Sequence, residues 1–246
     1  MCSSDLMTII RRELGSTFTS AVAYVFLVIF LALVGFFTFM IGGFFLRNEA
    51  DLSSFFFWFP WLFILLVPAV GMRQWAEERR QGTLELLFTM PVSVTEAVLG
   101  KFLAGWIFLG IALALTCPIV FTVCYLGDPD AGPVVTGYAG SFLLAGAYLA
   151  ISGMTSAFTR NQIVSFITST VLCLLLVLIG FPPVTDLLLK WGAPAGVLDF
   201  SADLSVFYHF TGMQRGVFDL RDIVYFLSLM VLALAVTGIA LKNRRG

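Results

Sequence analysis

The chain has 246 residues, 59% of them hydrophobic and only 12% charged, with a net charge of −1. A soluble domain carries about 25% charged residues, and a mean hydropathy of +0.98 places this chain in a membrane. One membrane domain fills residues 1–246, and the near-neutral balance excludes a nucleic-acid partner, which would require a strongly basic face.

Met1 to Leu6 lacks a basic segment followed by an apolar core, so no cleavable signal peptide is expected. Leu6, Ile9, Ile10 and Leu14, interleaved with Arg11, Arg12 and Glu13, predict a short amphipathic helix lying on the membrane surface. Residues 21–46 are uncharged and form the first span, roughly 39 Å of helix at 1.5 Å per residue. Residues 55–72 form the second, in which Pro60 and Pro68 are expected to kink or open the helix. Trp58 and Trp61 mark its outer end.

Residues 74–91, QWAEERRQGTLELLFTMP, interrupt this apolar pattern. Seven charges fall between Arg73 and Glu96: Arg73, Glu77, Glu78, Arg79, Arg80, Glu85 and Glu96. Gln74 to Gln81 are good helix formers, and Gly82-Thr83 supplies a point where a helix breaks. Leu84, Leu87 and Phe88 then share one face of a second short helix, which Pro91 ends. Ser93 with Glu96 reads as a capping box for the next helix. Leu84 to Phe88 is too apolar for a solvated loop with nothing to touch, so the stretch predicts a docking element outside the membrane.

The third span covers 97–126, with Lys101 near its entrance and Pro118 inside it; the fourth covers 134–158. Gly140, Gly146 and Gly153 in the fourth predict close helix approach and an interior position. The fifth covers 163–181, stopped by Pro182-Pro183, and the sixth covers 223–241. Between them lies segment 184–222. Val184, Leu187, Leu188 and Trp191, and again Leu204, Phe207, Tyr208 and Thr211, predict two short helices at the outer interface, as packing elements or as a gate. His209 reads as a structural histidine, and Asp219, Arg221 and Asp222 as the water boundary of the last span.

Six spans place both termini on one side. That side carries Arg11, Arg12, Arg73, Arg79, Arg80, Lys101, Arg160, Lys242, Arg244 and Arg245, against Arg47, Lys190, Arg215 and Arg221 on the other. The positive-inside rule assigns the first set, the termini and segment 74–91 to the cytoplasm.

No chemistry of an enzyme appears. There is no phosphate-binding G-x-x-x-x-G-K-[ST], since Gly100-Lys101 is followed by Phe102, and one histidine without a CxxC leaves no zinc signature. Ser152, Thr155, Ser156, Ser165 and Thr168 lack a partnered base and are expected to bond helix to helix. Uncharged spans disfavour an inorganic ion and suit a bulky or amphipathic substrate.

Glu77, Glu78, Gly82-Thr83, Glu85, Leu86-Leu87 and Pro91-Val92-Ser93 resemble the signature of ABC-2 type permeases, the membrane subunits of ATP-binding-cassette exporters. The likeness extends to the Arg-Arg-Glu-Leu of the surface helix, six spans and the long segment after the fifth. Tyr208-His209-Phe210 with Gly216 to Asp222 resembles the gliding-motility and copper-enzyme-maturation branch. The resemblance implies an all-α polytopic fold and a chain that is not itself catalytic. It also implies a coupling helix in which Glu77, Glu78, Arg80, Gly82, Thr83, Leu84, Glu85, Leu87, Phe88 and Pro91 meet a separate ATPase. ATP and Mg would sit on that partner, in two copies, with a second permease copy or homologous half and an inner-membrane location. A membrane scaffold that transmits motion to an extracytoplasmic accessory protein, without flux, is the alternative.

Overall fold

The computed structural model describes residues 3–42, 51–82, 93–127, 129–191 and 194–243. Every element in them is helical. In chain order these are α1 (Ser3–Thr19), α2 (Ala21–Phe36, continued by a π-helical turn Phe37–Ile41), α3 (Ser53–Phe57), α4 (Phe59–Gly71), α5 (Arg73–Gln81), α6 (Val94–Ala114) and α7 (Cys117–Leu126). They are followed by α8 (Ala131–Phe158), α9 (Gln162–Leu178), α10 (Pro182–Lys190), α11 (Ala195–Leu204), α12 (Val206–Gln214) and α13 (Leu220–Lys242).

Among the described residues five stretches are long and apolar enough to cross a membrane: Ala21–Ile41, Phe59–Gln81, Val94–Leu126, Ala131–Phe158 and Leu220–Lys242. A sixth exists if α9 and α10, bent by 64° at Pro182-Pro183, count as one. The expected all-α polytopic fold is therefore the observed one. The second span differs in its bounds: after a break at Met72 it continues as α5 through Gln81, which carries the charged residues 73–80. The helix breaks at Trp58, just before Pro60, and at Met72, four residues after Pro68. Proline withdraws a helix donor, and the chain turns at nearby residues instead.

α8 is the axle. It packs against α13, α4, α9, α12, α6 and α5, and Leu144 to Ala150 are all buried. Its glycines explain why. A Cβ at Gly137 would lie 2.6 Å from the Phe56 ring, and one at Gly146 would lie 2.6 Å from Met230 Cε. The interior position read from glycine content is borne out.

α12 enters the bundle, burying Val206, Phe207, Phe210 and Met213, whereas α10 buries nothing. Three helices fill segment 184–222 where spacing predicts two. The Leu204-to-Thr211 repeat is interrupted because Ser205 caps α12, accepting the Tyr208 N–H at 3.3 Å. Asp222 is not a boundary charge as expected. It is buried, with Oδ1 2.7 Å from His209 Nδ1, while His209 Nε2 faces the Asp203 carbonyl at 3.0 Å. His209 also stacks on Tyr225, ring centroids 4.1 Å apart. It is the structural, hydrogen-bonded histidine the sequence implies, holding the start of α13 to the α11–α12 corner.

Candidate functional site at the charged end of the bundle

α5 is strongly polar, yet it is fixed at its root. Trp75 and Ala76 are fully buried, packed with Val94, Ala97 and Val98 of α6, Ala157 of α8, and Ala240 and Leu241 of α13. Both the surface helix α1 and the end of α13 therefore share this end of the bundle with α5. Burying an aromatic side chain of this kind stabilises the anchor by ~2–3 kcal/mol.

The polar atoms at the α4–α5 break are satisfied from α8. Starting a new helix at Arg73 leaves its first N–H groups without intrahelical acceptors, and Met72 offers no capping side chain. Ser156 supplies the cap from another helix. Its Oγ accepts the N–H of Trp75 at 3.1 Å and of Ala76 at 2.9 Å, and its hydroxyl donates to the Met72 carbonyl at 2.9 Å. One turn away the Ser152 hydroxyl reaches the Pro68 carbonyl at 3.4 Å. This contact requires Gly71, because a Cβ there would collide with Ser152 Oγ and Cβ. One turn further out, Arg79 Nη1 donates to the Ala157 carbonyl at 2.6 Å. The serines act between helices, as their lack of a partnered base implies. Thr155 likewise lies 3.4 Å from Ser165 Oγ on α9, whereas Thr168 is exposed.

A buried cation joins three elements here. Lys101 of α6 is 9% exposed, with Nζ 2.7 Å from Glu78 Oε1 of α5 and 3.5 Å from Glu13 Oε2 of α1. Nζ also sits 5.3 Å from the centroid of the Trp75 ring, an additional cation–π attraction. Gly100 brings α1 close enough for this, since a Cβ there would lie 2.5 Å from Ile9 Cγ2. Glu78 and Lys101, far apart in sequence, thus meet directly. Sequence reasoning placed Lys101 at a span entrance and missed its partners. The available signal was the lysine itself, costly in an apolar run unless paired.

The remaining site residues divide by location. Glu77 accepts hydrogen bonds from Arg80 at 2.8 Å and Gln81 at 2.6 Å, making an exposed polar ridge. Gly82 ends α5 with φ 72°, the left-handed conformation expected of glycine at a helix end. Ser93 and Glu96 form the reciprocal capping box that opens α6. Thr83, Leu84, Glu85, Leu87, Phe88 and Pro91 lie outside the described residues. Among the described residues no cluster of three or more His, Cys, Asp or Glu is placed to hold a metal ion.

Beside the hub, a cavity of about 450 Å³ runs between α1, α2, α4, α5 and α6. Glu13, Arg73, Gln74 and Lys101 line one end, and Val25, Phe26, Leu66 and Phe108 the other.

No curated protein matches this chain. The family model for the ABC-2 family transporter proteins matches residues 47–241, a range that takes in α5, α6, α8 and the α12–α13 region but not the surface helix. The α-helical multi-pass architecture agrees with it, and the chain belongs to the ABC-2 family of transporter proteins, as a membrane permease component of an ATP-binding-cassette transporter.

Proposed function

We propose that this chain is the membrane half of an ATP-driven exporter, and that residues 74–91 are where a separate ATPase takes hold of it. The observation that carries this is the anchoring of α5. Ser156, Trp75 and the Lys101–Glu78–Glu13 hub tie one short charged helix to α8, α6, α13 and α1 at once. A helix that only shielded charge would need none of these ties.

ATP and Mg would be bound by the partner, whose hydrolysis supplies the driving energy. This chain contributes the lever. The apolar face of Leu84, Leu87 and Phe88 seats in the ATPase, and Glu77, Glu78, Arg80 and Glu85 form its polar rim. Pro91 ends the docking helix, and Gly82-Thr83 sets the angle between it and α5. The ten Lys and Arg residues on the α5 side support a cytoplasmic location for that end and for both termini in an inner membrane. One six-span chain forms half of a pathway. Two copies, or one copy and a homologous half, meet along the first span with its surface helix and along the fifth, each copy carrying one ATPase. The uncharged span interiors favour a bulky or amphipathic substrate moved outward.

The test is co-purification of a candidate ATP-binding-cassette ATPase co-expressed with this chain, with its hydrolysis rate, for the parent and for Leu87→Ala plus Phe88→Ala. Each apolar anchor contributes ~1.5–3 kcal/mol, so losing two should weaken assembly about a hundredfold or more. A double variant that inserts, folds and still holds and stimulates the ATPase like the parent would sink this reading.

A further inference from the structure

The cavity beside the hub has the shape and chemistry of a lipid. We infer that it is a binding site for one membrane glycerophospholipid, with the phosphate on Arg73 and an acyl chain along α2 and α4. The reasoning starts at the α1–α2 elbow. α1 is amphipathic and α2 is wholly apolar, so Ser20 between them marks the level where lipid headgroups give way to hydrocarbon. The cavity straddles that level, lined by Ser16, Thr17 and Ser20 on one side of it and by Val25, Phe26 and Ile29 on the other.

Its apolar half opens sideways. Val25 is 57% exposed and Ile29 45% exposed, whereas Phe26 and Phe108 behind them are buried. With the seam between copies on the other exposed face of α2, where Tyr24 and Val28 stand, an occupant enters from the surrounding lipid without crossing the bundle. The volume, about 450 Å³, suits one chain and part of a headgroup rather than a whole bilayer lipid, whose remainder would stay in the membrane.

Charge selects the head. Three charged residues line the cavity: Glu13, Lys101 and Arg73, a net of +1 from two cations and one anion. Lys101 is committed to Glu78 and Glu13. Arg73 has no hydrogen bond or ion pair to any described residue, and its exposed guanidinium stands at the cavity mouth. A planar guanidinium with no partner among the described residues is the donor set that takes a phosphate through two parallel hydrogen bonds. A neutral glyceride would leave it unpaired.

The inference does not depend on ATP-driven transport, and its test is a labelling experiment in membranes rather than a transport assay. Membrane vesicles from cells expressing the full chain, which keep any partner in place, are mixed with phosphatidylglycerol bearing a diazirine on one acyl chain. After irradiation, adducts are mapped by peptide mass spectrometry. The result expected is enrichment on residues 22–29 and 66–70 over the outward face of α13, where the exposed Val224, Leu227 and Val231 report ordinary lipid contact. Arg73→Gln should lower the enriched signal by about tenfold while leaving the α13 signal unchanged. Ala69→Trp, which fills the cavity from α4, should lower it as well, and a diazirine diacylglycerol without phosphate should show no enrichment. Equal labelling of both regions in the parent, or enrichment indifferent to Arg73→Gln, would reduce the occupant to annular lipid and overturn the proposal. So would a disulfide between copies at Val25→Cys, which would make the cavity a contact between copies of the chain.

Discussion

Lys101→Met provides the sharpest test of the hub. Methionine keeps the length and apolar body of the side chain while removing the charge, so packing against Trp75 is largely preserved. What remains is Glu78 and Glu13, each with a side chain 23% exposed, without the cation that joined them, although Glu13 keeps its pair with Arg12 at 2.9 Å. Removing one partner of a fully buried pair costs ~3–5 kcal/mol; partial access to water at both carboxylates brings the expected loss here to ~2–3 kcal/mol. Unfolding in mixed micelles, followed by tryptophan fluorescence, measures it, because Trp75 lies 5.3 Å from the missing charge. Adding Glu78→Gln should then restore part of the loss, since the penalty arises from a carboxylate that has lost its nearest countercharge rather than from lost packing. If Lys101→Met unfolds with the parent, or if Glu78→Gln worsens it additively, the hub is a surface ion pair of little energetic consequence.

Ser156→Ala should destabilise the charged end by ~1–3 kcal/mol, because the Met72 carbonyl and the Trp75 and Ala76 N–H groups lose their partner; faster amide exchange confined to residues 73–77 is the readout. Gly71→Ala should cost ~1–3 kcal/mol by forcing α4 off α8 at Ser152, and pairing it with Ser152→Gly should recover most of that in the same unfolding assay. At the opposite end, His209→Ala should cost ~3 kcal/mol by leaving Asp222 buried without its partner, with partial recovery on adding Asp222→Asn.

The features legible in the sequence were those written in local chemistry. The helix up to Gln81, its end at Gly82, the Ser93–Glu96 box and the breaks near Pro60 and Pro68 each depend on residues within a few positions, whereas the break at Thr116 before Pro118 was not read from the sequence. The burial of α8 was readable too, since glycine in an apolar span has few other uses. What was hidden depends on which helices meet. Ser156 looks like any span serine until α5 is laid across it, and Asp222 looks like a boundary charge until α12 brings His209 to it. In the same way nothing local distinguishes Lys101 from an interfacial lysine that reaches toward water. Its partners come from opposite directions along the chain, one in the surface helix and one in α5.

The contrast between the two ends of α5 bears on how force would travel through it. At its root α5 is held to its neighbours by Ser156, Trp75 and Lys101. At its tip, among the described residues, Gly82 has nothing within 4 Å of the position a Cβ would take. Its left-handed φ helps set the direction in which the chain leaves the helix. The lever proposed above would use this division, anchored where it joins the load and set by backbone geometry where it meets the drive. Gly82→Ala should thus be tolerated sterically but resisted conformationally, whereas a substitution at the root disturbs four helices together. Displacement of α5 as a body would move α8 through Ser156 and α6 through Lys101 in the same stroke, and α1 with them through Glu13. Under the coupling role proposed for α5, the first point of mechanical input would fall on the bundle's central helix rather than on its periphery.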